Sequence, residues 1–149
     1  MAQTYAQLLV HVVFSTQDRR PRLTSDLTGR LFPYMADILR NLEVRLLALN
    51  GTADHVHLLL SLPASAALAD VVRTLKANSS RWVREEFANK TFAWQPGYGA
   101  FSVSPSHRSP VCRYIERQEE HHRHLDFREE LLDFLKRSGI EYDERWVGD

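Results

Sequence analysis

The sequence of 149 residues predicts an α+β fold of the split βαβ, or ferredoxin-like, type, in which an antiparallel sheet carries its helices on one face. Three observations predict this class. Four segments are rich in β-branched and large apolar residues, and two long segments repeat apolar residues with a helical period. These segments follow one another in the order β-α-β-β-α-β. The arrangement leaves the second face of the sheet free to carry a functional site.

The first two predicted elements are a buried strand and an amphipathic helix. Residues Gln7–Phe14 are mostly β-branched or large and apolar, which is typical of a buried strand. Apolar residues then recur at helical spacing over Leu27–Leu42, and either Thr24 or Ser25 can cap the amino terminus of this helix. Pro33 lies inside the pattern and predicts a kink or a later helix start.

A hairpin, a second amphipathic helix and a last strand follow. Segments Glu43–Leu49 and His55–Leu62 have strand composition and flank Asn50-Gly51, a pair that favours a hairpin turn. A helical period runs through Leu68–Glu86, and Phe101–Ser104 is the final strand. The last predicted elements are the helices Val111–Glu120 and Phe127–Arg137.

Length and composition indicate one domain over residues 1–149, since single domains commonly have about 100–150 residues. No apolar run approaches the ~20 residues of a membrane span and no signal-peptide pattern begins the chain, so we expect a cytoplasmic protein. The net charge is zero, yet residues 1–113 carry 13 Lys and Arg against 8 Asp and Glu, and residues 114–149 carry 6 against 11. A basic first part favours a polyanionic partner, with ordinary solvated surface as the alternative.

Two histidines, His55 and His57, are the most informative pair in the predicted sheet. Side chains two residues apart leave a strand on the same face, so the two imidazoles converge. Such a pair suits a divalent metal, although a His-x-His triplet by itself is more often structural. Asp54 can orient one ring through a hydrogen bond, or it can bond its own backbone in the hairpin turn.

Tyr114 and Gln118 lie four residues apart in the predicted helix Val111–Glu120 and therefore share one face. Packing of the tyrosine against neighbouring apolar residues is the alternative. Combined with the two imidazoles, an amide oxygen and a phenol suit metal-assisted attack on a phosphodiester, with Mg²⁺ or Mn²⁺ as the ion. Attack by the tyrosine would release a 3′ hydroxyl and leave a 5′ phosphotyrosine, which keeps the bond energy for rejoining.

Two groups of basic residues predict contacts with DNA phosphates, with solvated surface as the alternative. One group is a stripe on the second predicted helix, and the other lies in the loop after the first strand. The stripe consists of the basic residues Arg73, Lys76 and Arg84, with Ser80 on the same face, and the loop group of Arg19, Arg20 and Arg22.

Two further groups have a structural interpretation that we favour. Phe92, Trp94 and Tyr98 could stack on unpaired bases, but aromatic residues that lead into a strand more often belong to the core. Histidines near the end of the predicted helix Val111–Glu120, which carries Tyr114 and is called the tyrosine helix below, could hold zinc. Positive charge there complements the helix dipole, however, and no cysteine ligands accompany them. These histidines are His121, His122 and His124.

Four motifs, spread over nearly the whole chain, carry a resemblance to a known family. They are Asp54–Leu59 after Asn50-Gly51, Lys76–Ser80, Trp94–Ser102 and Tyr114–His122. Together they resemble the single-tyrosine HUH transposases of the insertion-sequence 200/605 type. The resemblance implies an HUH endonuclease-like fold with a C-terminal catalytic helix, and an enzyme that cuts and rejoins single-stranded DNA at hairpin-bearing element ends.

The resemblance also implies roles for individual residues. His55 and His57 would be metal ligands, Gln118 the third ligand and Tyr114 the nucleophile, with Mg²⁺ or Mn²⁺ as cofactor. Members act as homodimers in which the tyrosine helix can serve the partner's metal site, and the connection Pro105–Pro110 is long enough for either placement. The alternatives are an inactive relative that binds DNA hairpins without cutting, and a relaxase-like nickase, which normally has further domains.

Overall fold

The computed structural model describes residues 3–121 and 125–147. Within these ranges four strands form one antiparallel sheet in the order β2-β3-β1-β4. The strands are β1 (Leu8–Ser15), β2 (Arg45–Gly51), β3 (His55–Leu62) and β4 (Gly99–Val103). The order and directions are those of a split βαβ fold, so the predicted α+β class is confirmed.

Two long helices, α1 (Ser25–Asn41) and α2 (Leu68–Glu86), pack against one face of the sheet. Side chains that alternate along β1 and β3 face these helices, because successive residues of a strand point to opposite faces. The larger apolar cluster of the protein forms between the two layers. Its fully buried members include Val12, Phe14, Val56, Leu58 and Leu60 from the sheet and Leu31, Met35, Leu39 and Leu75 from the helices.

Helix α1 begins before Pro33 and continues through it. The predicted later start is therefore wrong. Thr24 Oγ1 accepts a hydrogen bond from the backbone N–H of Leu27 at 3.2 Å and caps the first turn. Burial of Leu27 and Leu31 on the first two turns favours the early start and outweighs the one backbone hydrogen bond that a proline cannot donate.

The hairpin between β2 and β3 is confirmed, but its turn lies directly after Asn50-Gly51 rather than on this pair. Gly51 still belongs to β2, where it pairs with Val56. A Cβ atom at residue 51 would lie 2.2 Å from the carbonyl oxygen of His55, so only glycine allows this approach. The connection is made by residues 52–54, where the backbone N–H of Thr52 donates to the His55 carbonyl at 3.0 Å.

The second face of the sheet is covered, and this corrects the expectation of a free face. Helices α3 (Arg108–Glu116), α4 (Gln118–His121) and α5 (Phe127–Arg137) follow β4. Phe127 of α5 is buried against Val13 and Phe101 of the sheet, with Leu131, Phe134 and Leu135 packed around them. A second apolar cluster therefore encloses the histidine face.

The predicted helix Val111–Glu120 is divided at Arg117, whose backbone (φ −104°, ψ 30°) is not helical. Among the described residues, three short 3₁₀ segments complete the structure, at Gln17–Arg19, Pro105–His107 and Glu144–Trp146. None of the helices in the described ranges combines the length and the hydropathy of a membrane span.

Candidate active site

The candidate site lies on the sheet face that α3 and α5 cover. His55 and His57 are both completely buried there, while Val56 between them faces α1 and α2. Pairing of β1 with β3 sets Val13 opposite His57. His11, two residues before Val13, lies on the same face and next to His57.

A carboxylate from α5 completes the centre. Glu130 Oε1 lies 2.7 Å from His57 Nε2 and 3.3 Å from His55 Nε2, and Glu130 is only 2% exposed. One ligand atom from each of these three residues lies within 4.8 Å of the other two. Two imidazole nitrogens and one carboxylate oxygen at this spacing could hold a divalent metal ion.

Helices α3 and α4 each contribute one group to the same point. The Tyr114 hydroxyl donates a hydrogen bond to Glu130 Oε2, and its ring packs edge-on against His57 with centroids 5.8 Å apart. Gln118 is buried, with its Oε1 atom 3.3 Å from His55 Nε2. Despite the break at Arg117, the Gln118 amide still donates to the Tyr114 carbonyl at 3.4 Å. The structure thus brings together all four residues of the predicted site within one chain.

Each imidazole is also held at its other nitrogen. Asp54 Oδ1 lies 2.7 Å from His55 Nδ1, and the Thr52 hydroxyl contacts the same nitrogen at 3.0 Å and the same carboxylate at 3.1 Å. Of the two roles considered for Asp54, the orienting one is observed. His57 Nδ1 lies 2.8 Å from His11 Nε2. Both rings therefore turn Nε2 towards Glu130.

The burial of the site shifts the pKa values of its groups. Burial alone would lower the pKa of His55, but hydrogen bonds with Asp54 and Glu130 outweigh burial and raise this pKa above its ordinary value. Burial, followed by the hydrogen bond and negative charge of Glu130, raises the pKa of Tyr114 well above that of a free phenol. The phenol is therefore protonated at neutral pH and needs a base before it can attack.

Comparison with known proteins decides the family. The family model described as "Transposase IS200 like" matches residues 4–118. The chain belongs to the IS200-like transposase family. The resemblance seen in the sequence motifs is thereby confirmed, and membership in this family implies a role in DNA cleavage and strand transfer.

Several relatives in this transposase family cover most of the chain. The ISDra2 transposase TnpA of Deinococcus radiodurans is 28% identical over 120 residues, which are 76% of this chain and 86% of the relative. The transposase for insertion sequence element IS200 of Salmonella typhimurium is 25% identical over 126 residues, 80% of this chain and 82% of the relative.

Two solved structures share the fold. A Deinococcus radiodurans R1 protein described as a transposase has a TM-score of 0.65 and 28% identity, and the match covers 79% of this chain and 96% of that protein. A REP-associated tyrosine transposase, solved bound to a REP hairpin, has a TM-score of 0.62 over all of this chain and 91% of its own. Its identity of 15% supports the fold alone.

Two residues of the site, Glu130 and His11, were missed by the sequence interpretation. Glu130 lies beyond residue 118, where the family match ends. A signal for it does exist: the carboxylate interrupts the apolar stripe that Phe127, Leu131 and Phe134 form along α5. His11 interrupts the apolar strand β1 in the same way. Polar residues on buried faces are therefore the feature that could have identified both.

The basic residues predicted to contact DNA lie around the segment 89–98. Three of them donate hydrogen bonds to this segment. Arg22 donates to the Asn89 side chain at 3.0 Å and to the Thr91 hydroxyl at 2.7 Å, and Arg84 donates to the Phe92 carbonyl at 3.1 Å. Lys76 donates to the Gln95 carbonyl at 2.8 Å and to the Gly97 carbonyl. A cavity of about 190 Å³ beside Arg20 and Arg22 and one of about 370 Å³ beside Arg73 and Lys76 flank this segment. Arg19 lies in the same loop as Arg20 and is partly buried.

Among the aromatic residues, Phe92 and Trp94 are buried in the larger apolar cluster, which confirms the core interpretation for them. Tyr98 is 40% exposed beside the larger cavity, so that interpretation is wrong for it. The side chain of His121 and the whole of His122 and His124 lie outside the described residues.

Proposed function

We propose that this transposase cleaves and rejoins single-stranded DNA at hairpin-bearing element ends through a 5′ phosphotyrosine on Tyr114. The observation that carries the proposal is the meeting of the Tyr114 hydroxyl, the two His Nε2 atoms and Glu130 at one buried point. His55, His57 and Gln118 are the proposed ligands of Mg²⁺ or Mn²⁺, and the position of Glu130 adds it to this set.

The proposed reaction uses groups that are already in contact. Tyr114 Oη forms a bond to the phosphorus of the scissile phosphodiester, and the bond from phosphorus to the 3′ oxygen breaks. The phenolic proton passes to Glu130 Oε2, to which the hydroxyl already donates, and the leaving 3′ oxygen takes a proton from water. Attack of a 3′ hydroxyl on the phosphotyrosine reverses these steps, so rejoining requires no ATP.

The residues around the reacting atoms have distinct tasks in this proposal. When bound, Mg²⁺ or Mn²⁺ polarises a phosphoryl oxygen and stabilises the charge that develops during attack. Gln118 and His57 hold the tyrosine helix and ring against the sheet. Glu130 acts with both oxygens, one beside the imidazoles and one as the base for Tyr114.

DNA contacts are assigned to the basic residues around the segment 89–98. Hydrogen bonds to this segment fix the positions of Arg22, Lys76 and Arg84, whose positive charges attract a polyanion. The two cavities lie beside the same segment. The proposed contact residues are Arg19, Arg20, Arg22, Arg73, Lys76 and Arg84. A REP hairpin is bound by one relative of the same fold, which supports hairpin DNA as the partner.

The assembly is also a proposal. Residues 1–149 act as one domain, and two copies form a homodimer, as the resemblance implies. Tyr114 contacts the histidines of its own chain, which favours an active site that is complete in each subunit.

The test uses labelled single-stranded DNA that covers the sequences flanking the coding region, where the proposal expects imperfect palindromes. We expect cleavage with Mn²⁺, no cleavage with chelator, and a covalent protein–DNA adduct that resists denaturation. Tyr114→Phe should lose the adduct, while Tyr5→Phe, at a tyrosine that is 87% exposed, should keep it. His57→Ala should abolish cleavage and leave hairpin binding largely intact.

Three outcomes would contradict parts of the proposal. Tight hairpin binding with no adduct in the unaltered protein would favour the non-cleaving relative. An adduct in Tyr114→Phe would exclude Tyr114 as the nucleophile. Cleavage by His57→Ala at an undiminished rate would exclude the assigned metal site.

A further inference from the structure

His11 is a buried polar residue to which the reaction above gives no task. It lies on β1, is 3% exposed, and its Nε2 atom is 2.8 Å from His57 Nδ1. Its ring packs edge-on against Phe134 of α5, with centroids 5.1 Å apart. Its only hydrogen-bond partner among the described residues is His57.

The nitrogen that His11 contacts determines what His57 can bind. A neutral imidazole has one N–H and one lone pair, so Nε2 can bind a cation only when the ring proton is on Nδ1. A buried N–H without an acceptor is costly, and ligating histidines are therefore oriented by an acceptor at the other nitrogen. For His55 this acceptor is the Asp54 carboxylate at 2.7 Å. The corresponding group for His57 is the His11 ring.

A histidine at this position differs from a carboxylate because it can either donate or accept. Without a cation, the 2.7 Å contact between His57 Nε2 and Glu130 Oε1 requires a proton between these atoms. If His57 carries it, His57 Nδ1 accepts a hydrogen bond from His11 Nε2. His11 is 3% exposed and has no carboxylate as a hydrogen-bond partner among the described residues, so burial favours the neutral ring, which has one proton to share.

We propose that His11 is a positioning residue that sets the tautomer of His57. When Nε2 of His57 binds a cation, the proton on that nitrogen passes to water, and the proton between the rings moves from His11 Nε2 to His57 Nδ1. His11 then takes a proton at Nδ1 from water that enters the cavity of about 590 Å³ lined by this ring. Neither ring changes its net charge. This inference rests on the cation site of the proposed function, but not on DNA cleavage.

The tautomers can be read directly by long-range ¹H–¹⁵N correlation spectra of the full chain with ¹⁵N-labelled histidine. We expect the proton of His57 on Nε2 in chelator and on Nδ1 with Zn²⁺, a diamagnetic probe. His11 should change from Nε2–H to Nδ1–H in the same titration. Unchanged ¹⁵N shifts of His11 while those of His57 respond to Zn²⁺ would overturn the coupling of the two rings.

Affinity for Mn²⁺, measured by electron paramagnetic resonance of the free ion, supplies a second readout. His11→Leu should weaken binding by about 10–100-fold, as is typical when the partner of a ligating histidine is lost. His11→Gln, whose amide can donate or accept near the same position, should recover most of the affinity. Phe134→Leu alters the packing of the same ring without removing its hydrogen bond and is the matched control.

The outcomes separate this inference from the function on which it rests. Normal Mn²⁺ affinity in a folded His11→Leu variant would overturn the role of His11 alone. An equal loss of Mn²⁺ affinity in His11→Leu and Phe134→Leu would show that the effect comes from packing, and it would also overturn the role of His11. Failure of the unaltered protein to bind Mn²⁺ would overturn the proposed cation site, and this inference with it.

Discussion

Glu130 is a carboxylate held between two imidazoles and a phenol with almost no access to water. Burial of a charge is unfavourable unless an opposite charge or hydrogen bonds compensate it, so a cation beside Glu130 should stabilise the folded protein. At a free Mn²⁺ concentration 100 times the Kd, we expect stabilisation of about 2.7 kcal/mol, read as an increase in Tm. We expect Glu130→Gln to bind Mn²⁺ at least tenfold more weakly. The stabilisation by Mn²⁺ at the same concentration would then be about 1.4 kcal/mol or less.

The control for this prediction is Glu129→Gln, which removes the same charge from the adjacent, exposed position of α5. Its increase in Tm with Mn²⁺ should match that of the unaltered protein. An undiminished increase in Glu130→Gln would exclude Glu130 from the cation site and leave Gln118 as the third ligand.

Lys76 gives a prediction for the pH dependence of stability, away from the metal site. Burial lowers the pKa of Lys76 to about 8, from a model-peptide value near 10.4. Between these two pH values the unfolded chain binds more protons at this residue than the folded chain, so the contribution of Lys76 to the free energy of unfolding rises with pH. Urea unfolding from pH 7.5 to 9.5 should therefore show the unaltered protein gaining stability relative to Lys76→Met.

The test depends on how the difference in free energy of unfolding between the two proteins changes with pH. Its absolute size is not decisive, because Lys76→Met also loses hydrogen bonds to the carbonyls of Gln95 and Gly97. Lys90→Met, at an exposed lysine, controls for the lost positive charge. A constant difference in stability between the unaltered protein and Lys76→Met over this pH range would contradict the lowered pKa.

Which residues could be predicted depended on sequence distance. His55 with His57, and Tyr114 with Gln118, are close pairs whose shared face follows from strand and helix periodicity alone. Glu130 reaches His57 across 73 residues and His11 reaches it across 46. No local period sets such contacts. They follow from the packing of α5 and from the alignment of β1 with β3, which no local pattern of residues specifies.

At the level of elements, α5 determines whether the site is complete, because it carries Glu130 and covers the histidines with Phe127. Its first turn is capped by Asp126, whose side chain accepts a hydrogen bond from the Glu129 N–H at 2.8 Å. Asp126→Ala should cost about 1 kcal/mol of helix stability. We expect faster hydrogen exchange in α5 and weaker Mn²⁺ binding.

Thr24→Ala provides the matched comparison, since Thr24 caps α1 on the opposite side of the sheet. It should lower the free energy of unfolding by a comparable amount and leave Mn²⁺ affinity unchanged. If Asp126→Ala and Thr24→Ala changed the Mn²⁺ affinity equally, the site would respond to overall stability rather than to the position of α5.

The order and kinds of elements were predictable because the apolar periods are long and the strands are flanked by turn residues. Two features were not. The break at Arg117 lies inside an uninterrupted helical pattern, and it coincides with docking of the helix onto β2, where the Asn50 amide donates to the Glu116 carbonyl at 3.1 Å. The covering of the second sheet face depends on how far the chain turns back after β4, and residue types alone do not determine this.

At the scale of the whole molecule, strand β1 connects the candidate site with the segment 89–98. Residues 15–17 at the end of β1 pair with residues 93–95 of the segment 89–98 through a Thr16–Trp94 bridge and two backbone hydrogen bonds of 2.9 Å. His11 and Val13, earlier on the same strand, contact the buried site. Because β1 is hydrogen-bonded at both places, it would fix the distance between the proposed DNA-contact residues and Tyr114.

The last prediction concerns the number of chains that one active site needs. Asn50 contacts the Glu116 carbonyl of α3 and His55 contacts Gln118 of α4, so both helices are held on the sheet of their own chain. Tyr114 should therefore act on the proposed cation site of its own chain. Tyr114→Phe and His57→Ala are each expected to form no covalent adduct with labelled single-stranded DNA. A mixture of the two variants, unfolded and refolded together so that subunits can exchange, should remain inactive, because neither chain has both groups. An adduct in that mixture, up to about one quarter of the unaltered level if subunits assort randomly into dimers, would show that the tyrosine of one subunit serves the histidines of its partner.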